Sequence, residues 1–479
     1  MDNVAGFFIG GQEVFSDKKL IVSNPYTGSG IAACCVPSQE HASRALQEAA
    51  RAFNVTKQAP ACKRADILHR AAALMESRRE ALSHTISLES GKPVKYAKAE
   101  VGRALQTITL SAEEAGRIPG EVLNMDAAVN GAGRMGIVRR FPVGPVLGIT
   151  PFNFPLNLVC HKAGPALAAG NTITVKPSRS TPLTCLALAR IFNEAGLEPG
   201  AFNVLPADIS VTGMMVQDKR VRLITFTGSP AVGWNLKKDA YDKQVLLELG
   251  GNAGVIVEPG ADLDFAAGRI TMGGFAFSGQ VCISVQRVFA HRGIFDDLVH
   301  MLVHRAESLV LGDPLSQETD IGPMITDEAA SRAESWIKEA KDRGAGIVCG
   351  GHRDGRMVSP CILTNVPRDA RAACKEIFGP VIVVEPYDDF ADAVRLVNDS
   401  EYGLQAGVFT NDVNKALDAF DALDVGGVIV NDVPTYRIDS MPYGGVKESG
   451  NAREGVTYAI QEMTEQKLLV IRRAASIGE

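Results

Sequence analysis

The sequence predicts an α/β protein built from two Rossmann-like parallel-sheet domains and a small separate β element, and three observations carry that expectation. With 479 residues the chain is too long for one core at the usual ~100–200 residues per domain. Its 46% hydrophobic and 22% charged residues match a globular chain able to bury a large core, which excludes disordered and fibrous classes. Beyond Phe141 short apolar runs alternate with helical patterns, as parallel strands joined by crossover helices do.

In chain order, apolar residues recur at helical spacing from Gln39 to Phe53 and from Lys63 to about Arg117, so the first quarter reads as mainly helical. Glu121–Met125 and Met135–Arg140 are extended runs flanking Asn130-Gly131, a pair that favours a tight hairpin turn. One strand series follows at Val146–Thr150, Thr172–Val175, Val204–Leu205, Leu223–Thr227 and Val245–Glu248. A second comprises Val255–Val257, Arg287–His291, Val381–Tyr387, Gly407–Thr410 and Gly427–Asn431, separated by helical patterns such as Leu263–Phe277 and Ala329–Arg343. Gln466–Arg473, rich in Leu, Val and Ile, is a last strand-like stretch. Peripheral apolar strands of this kind leave unpaired edges that a neighbouring subunit would cover.

Forty-nine Lys and Arg against 55 Asp and Glu give a formal charge of −6, which offers no general attraction to nucleic acid or to an anionic membrane. Nine cysteines without CxxC spacing read as free thiols in a reducing cytoplasm. The start of the chain shows no secretory pattern. The longest uncharged stretch, Val143–Cys160, is broken by Gly144, Pro145, Gly148 and Asn153 and makes a poor membrane span. His300 and His304 stand four apart but lack a third ligand, so no metal site is expected.

Several stretches carry candidate chemistry. Phe277-Ser278-Gly279-Gln280-Val281-Cys282 lies where a helical pattern gives way to a loop, a setting that can present the Cys282 thiol to a cleft; read alone, a buried structural cysteine accounts for it equally well. Glu248-Leu249-Gly250-Gly251-Asn252 ends a strand, and parallel sheets place ligand-binding residues at such ends, so Glu248 can take a proton from water or a thiol. The paired glycines, which admit close backbone approach, weigh against a mere capping role. In Thr150-Pro151-Phe152-Asn153-Phe154-Pro155 the Asn153 amide is a donor suited to a developing oxyanion. Lys176-Pro177-Ser178 and Phe226-Thr227-Gly228-Ser229-Pro230-Ala231-Val232-Gly233 follow two further strands. Neither is GxGxxG, yet Gly228-Ser229 can bind a pyrophosphate through free amides and a hydroxyl, and Lys176 can reach ribose or phosphate oxygens.

Together and in this order, with Glu376-Ile377-Phe378-Gly379-Pro380 and Pro442-Tyr443-Gly444-Gly445-Val446-Lys447-Glu448-Ser449-Gly450, these motifs resemble the aldehyde dehydrogenase superfamily over essentially the whole chain. The likeness is greatest to the group acting on lactaldehyde, phosphonoacetaldehyde, sulfoacetaldehyde and, without phosphorylation, glyceraldehyde 3-phosphate. It implies an aldehyde dehydrogenase-like fold: a cofactor domain from 1–117 and 141–247, a catalytic domain at 248–430, a return segment with a substrate-tunnel loop at 431–464, and an oligomerisation element from the 118–140 hairpin and the 465–479 strand and tail. It further implies Cys282 as nucleophile, Asn153 with the Cys282 backbone N–H as oxyanion donors, and Glu248 as the base that activates the water hydrolysing a thioester. NAD or NADP would be held by Lys176, Ser178, Gly228, Ser229, Gly233 and Leu249, with Glu376 on the nicotinamide ribose and Phe378 beside it.

Two departures matter. Where many NAD-preferring members carry a Glu three residues after the Lys of this motif, this chain has Arg179; a cation there favours the 2′-phosphate of NADP. Where many relatives read ELGGK, this chain has Asn252, with no consequence assigned. In similar proteins the loop that here carries Arg437 closes over the substrate tunnel, and Arg103 on the helical run Val101–Ala112 would reach the same tunnel, so the resemblance implies that the two clamp a small anionic aldehyde. The opposing account pairs Arg437 with Asp439 or Asp432 and Arg103 with Glu100 or a neighbouring helix. The alternative substrate is lactaldehyde-like or broader. An intact Glu248 argues against a CoA-acylating relative, and intact Cys282, Asn153 and Glu248 argue against a non-catalytic one. A homodimer or homotetramer is expected from the apolar edge strands.

Overall fold

Five apolar strands, Pro145–Ile149, Thr172–Lys176, Phe202–Val204, Leu223–Thr227 and Gln244–Glu248, run parallel in the first sheet of the computed structural model, which describes residues 4–473. They are buried on both faces because helices cover each side. Helix Asn157–Ala169 is the extreme case, with every residue buried. Two short strands, Phe7–Ile9 and Gln12–Val14, complete this seven-stranded sheet as an antiparallel edge hairpin beside Phe202–Val204. The first quarter is therefore less helical than its periodicity predicts. Helices Gln39–Thr56, Ala61–Ser77, Arg79–Ser90 and Val94–Ala115 are present, but residues 4–35 hold five strands of two to six residues. Most are too short to display an alternating pattern.

The second seven-stranded sheet has the order Gly346–Cys349, Cys361–Thr364, Val381–Tyr387, Val285–His291, Ala253–Val257, Gln405–Phe409, Gly427–Val430, parallel except for its first strand. The first two strands were not anticipated. The connection between the two sheets is only Leu249–Asn252, so just these four residues separate Glu248, the last residue of one strand, from the next sheet. The chain then returns to the first sheet's core: Ala452, Val456, Ile460 and Met463 join one apolar cluster with Ile108, Val159 and Ala163.

A third sheet stands apart, with Thr464–Arg472 paired along its length to Arg134–Pro142, and Glu121–Leu123 on the far side. The hairpin anticipated at 118–140 exists, but it is not closed by a tight Asn130-Gly131 turn. Ten residues, 124–133, join its strands through two short 3-10 turns. Gly131 is needed there for space, since a Cβ would lie 1.6 Å from the Met125 carbonyl oxygen. The expected tail at 474–479 lies outside the described residues. Among the described residues no helix is long and apolar enough to cross a membrane.

Candidate active site

Cys282 owes its position to a strained turn. After helix Leu263–Phe275 the chain does not continue helically: Phe277 and Ser278 take left-handed backbone angles, φ 50° and 55°. Such conformations persist only when their surroundings hold them. Here Ser278 Oγ donates to the Gly322 carbonyl (2.7 Å), and the buried Gln280 Oε1 accepts from the Ile325 amide (2.9 Å). The Cys282 sulfur then lies 3.0 Å from the Tyr443 hydroxyl. Burial pushes the thiol up to about 12, with the Tyr443 hydrogen bond acting in the opposite direction.

Asn153 reaches this loop from the first sheet. Its Nδ2 donates to the Gln280 carbonyl (3.0 Å) and its Oδ1 is buried without a partner. One amide proton is thus used in orienting the side chain, and the second remains for another acceptor. Glu248 is buried, and neither carboxyl oxygen has a hydrogen-bond partner. Burial first, then the Glu454 charge, raise its pKa well above the carboxylate range. The glycines after it do what close approach requires: a Cβ on Gly250 would lie 2.4 Å from a Glu376 oxygen, and one on Gly251 2.2 Å from the Cys282 carbonyl. The Gly251 amide donates to Glu376 (3.0 Å). Asn252 ties the same region together, donating to the carbonyls of Ala373 and Lys375 while its own carbonyl accepts from the buried Arg287.

Three adjoining cavities surround these groups. The first, about 190 Å³, is lined by Cys282, Glu248, Arg103, Arg437, Tyr443 and Phe154 among others. The second, about 600 Å³, is bounded by Cys282, Asn153, Glu376, Phe378, Gly228 and Leu249. The third, about 450 Å³, shares Gly228 and Ser229 with the second and adds Lys176, Ser178 and Arg179. Gly233 is buried beneath this cleft, where a Cβ would meet the Leu249 side chain at 2.5 Å. The expected nucleotide residues therefore follow one cleft, and the sulfur is on the wall between that cleft and the smaller chamber. The cleft fits a dinucleotide: helix Pro230–Asp239 begins at it with no side-chain cap, leaving its first amides free for phosphate oxygens, and Thr150 and Thr227 offer buried unpartnered hydroxyls beside it.

Behind the small chamber is a buried ionic array that sequence reading foresaw only in part. Arg103 is held by Asp439 (2.6 Å), which also bonds His161 (2.8 Å). Arg437 pairs with Glu454 (3.0 Å), contacts His161 (3.2 Å) and stacks 3.7 Å from the Tyr443 ring centre. Lys162 completes the Glu454 pair (3.3 Å). The particular pairings of the opposing account do not occur: Asp432 binds Arg269, Glu100 binds Lys92, and Asp439 is taken by Arg103 and His161. Both arginines do line the chamber, but each arrives with a carboxylate partner, which an unobstructed clamp would not have. Burial opposes ionisation of Glu454, yet Lys162 and Arg437 hold it down at about 2, while burial and Arg437 push the His161 pKa down. Tyr443 was legible within its Pro-Tyr-Gly-Gly motif; Asp439 was expected only as a partner of Arg437, and Lys162 and Glu454 had no local signal.

The fold thus sets a thiol between a cleft that fits a dinucleotide and a smaller chamber, an arrangement suited to a nicotinamide-dependent oxidoreductase. Residues 14–469 match the aldehyde dehydrogenase family, and the chain belongs to it. It is accordingly an NAD(P)-dependent enzyme that oxidises aldehydes. It is 44% identical over 467 residues, 97% of this chain and 98% of the other, to a 3-sulfolactaldehyde dehydrogenase of Priestia aryabhattai. Aldehyde dehydrogenase 21 of Physcomitrella patens, solved in complex with the reaction product succinate, superposes with a TM-score of 0.98 at 40% identity, covering 100% of both chains. The glyceraldehyde-3-phosphate dehydrogenase GapN of Methanocaldococcus jannaschii, solved with NADP, has a TM-score of 0.92 at 38% identity, covering 96% of this chain and 100% of that one.

Proposed function

We propose that this enzyme oxidises a small aldehyde bearing an anionic group to the free acid, with Cys282 as nucleophile and Glu248 as base. The observation that carries the anionic reading is Arg437 Nε, a buried donor without an acceptor on a side chain lining the Cys282 chamber. Leaving such a group unsatisfied costs about 1–3 kcal/mol, which an incoming anion would relieve. The charges agree: Arg103, Arg437 and Lys162 face the two carboxylates Asp439 and Glu454, a surplus of cations that favours an anionic substrate. The chamber's about 190 Å³ suits a molecule of few heavy atoms. The 3-sulfolactaldehyde dehydrogenase and the succinate-bound enzyme, whose ligands carry a sulfonate and a second carboxylate, support the same reading.

In this mechanism the Cys282 thiolate attacks the aldehyde carbon, and the Asn153 amide proton not bound to Gln280 stabilises the oxyanion together with the Cys282 backbone N–H. A nicotinamide held by Glu376 and Phe378 would supply the hydride acceptor, and loss of hydride from the thiohemiacetal leaves a thioester on Cys282. Glu248, desolvated beside the sulfur's chamber, takes the proton of the water that hydrolyses it. Lys176, Ser178, Arg179, Gly228, Ser229, Gly233 and Leu249 form the adenosine and pyrophosphate part of the site; Glu376 and Phe378 form the nicotinamide part. Arg179 is exposed at the cleft and lies close enough to Lys176 to oppose its charge. Paired cations of this kind support acceptance of NADP at least comparable with NAD. The exposed Leu468, Leu469, Val470 and Ile471 support a homodimer or homotetramer built on the third sheet, and nine free thiols support a cytoplasmic setting.

The test compares kcat/KM for propanal with that for 3-sulfolactaldehyde, succinate semialdehyde and glyceraldehyde 3-phosphate, in the parent and in Arg437→Met. The anionic substrates should be preferred, and the substitution should remove ~10–100-fold of that preference, the worth of one charge-assisted hydrogen bond. A parent preference for propanal, or an indifferent variant, rejects the reading.

A further inference from the structure

Tyr443 is 2% exposed, and Cys282 Sγ, 3.0 Å away, is the one hydrogen-bond partner of its hydroxyl among the described residues. Its ring lies under the Arg437 guanidinium, 3.7 Å from ring centre to charge. Arg437 is in turn fixed by Glu454. The hydroxyl is thus aimed at sulfur by a ring that cannot turn away, and a cation above the ring draws electron density from the O–H. Once Cys282 is a thiolate, only Tyr443 of the pair holds a proton, so it must donate.

We propose that Tyr443 is a catalytic residue of this enzyme, whose hydroxyl donates a hydrogen bond to the Cys282 thiolate and so sets how much of the nucleophile is ionised. The inference rests on Cys282 being the nucleophile. Ionisation releases the thiol proton to solvent. Attack then forms the S–C bond as the carbonyl π pair moves to oxygen, and Tyr443 keeps its proton while its hydrogen bond weakens with the departing sulfur charge. The other groups facing the sulfur are Glu376 and Glu248, which oppose its ionisation, and Arg437, which favours it; burial opposes it most. A phenol is therefore the neutral donor among these neighbours. Arg437 acts on the sulfur both through space and through the tyrosine ring, so the group that meets the substrate's anion also touches the nucleophile's donor.

The test is the pH profile of Cys282 alkylation by iodoacetamide, followed on the Cys282 peptide because Cys62 and Cys374 are also accessible. Tyr443→Phe keeps the ring under Arg437 and removes only the hydroxyl. The midpoint should rise by about one unit or more, so the thiolate fraction at neutral pH falls about tenfold. The limiting rate at high pH should rise about threefold, because thiolate nucleophilicity grows with pKa with a slope of ~0.4–0.5. The parent and variant curves therefore cross. Tyr443→Leu, which also loses the ring, should shift the midpoint at least as far, and NADP binding by fluorescence should be retained in both. Superimposable profiles, or a rate changed by one factor at every pH as looser packing would give, overturn the proposal. Cys282→Ser run alongside separates the two readings: turnover in that variant defeats the nucleophile assignment, whereas a flat Tyr443→Phe result with a dead Cys282→Ser defeats only the role of Tyr443.

Discussion

Replacing Glu248 by glutamine changes one oxygen of a side chain that is 3% exposed and makes no hydrogen bond. The amide adds unsatisfied buried N–H groups at a cost of about 1–3 kcal/mol, well inside the ~5–15 kcal/mol of a folded domain, so the variant should fold. Thiohemiacetal formation and hydride release do not use the base and should proceed, giving a burst of one reduced nicotinamide per active site. Deacylation then loses its general base, and steady turnover should fall by ~10²–10⁴. The pH dependence sharpens the test. Burial and Glu454 raise the Glu248 pKa, so in the parent the basic form is scarce at low pH and deacylation should climb about tenfold per pH unit until that raised pKa is passed. Glutamine does not titrate, and the limb should vanish. Rapid mixing with fluorescence detection of the reduced cofactor reads both quantities. Steady turnover near the parent rate, or an unchanged pH limb in the variant, refutes the assignment of Glu248.

Cys282→Ser should abolish both burst and turnover while cofactor binding measured by fluorescence titration persists, because a serine alkoxide is far harder to form than a thiolate. Arg179→Glu should lower the ratio of NADP to NAD efficiency by about tenfold or more, through repulsion of the 2′-phosphate; an unchanged ratio would place Arg179 outside cofactor selection. Glutamates at Leu468 and Leu469, both more than half exposed on the third sheet, should shift sedimentation toward monomer, whereas a monomeric parent at micromolar concentration would reject the assembly. Gly251→Ala puts a Cβ 2.2 Å from the Cys282 carbonyl, and since backbone must move to admit it, activity should drop more than thermal stability does.

The sequence by itself determined the strand-helix alternation and the family resemblance. Central strands bury both faces and so write short apolar runs, as Pro145–Ile149 and Ala253–Val257 do, and the catalytic candidates lie in contiguous motifs whose glycines register close backbone contacts. Local patterns could not show the strands of two to six residues before Gln39, nor how the 124–133 loop closes its hairpin. The chamber was decided by tertiary structure alone. Lys162 and Glu454 lie 292 residues apart in sequence, and His161 and Asp439 278, yet all four meet around Arg437 and Arg103, and a charged pair buried by packing leaves no periodic trace. The same holds for the Tyr443 hydroxyl on the Cys282 sulfur, 161 residues away. The sequence could name a cysteine as the candidate nucleophile, but the ionisation of that thiol depends on its burial and on which side chains the fold brings to it.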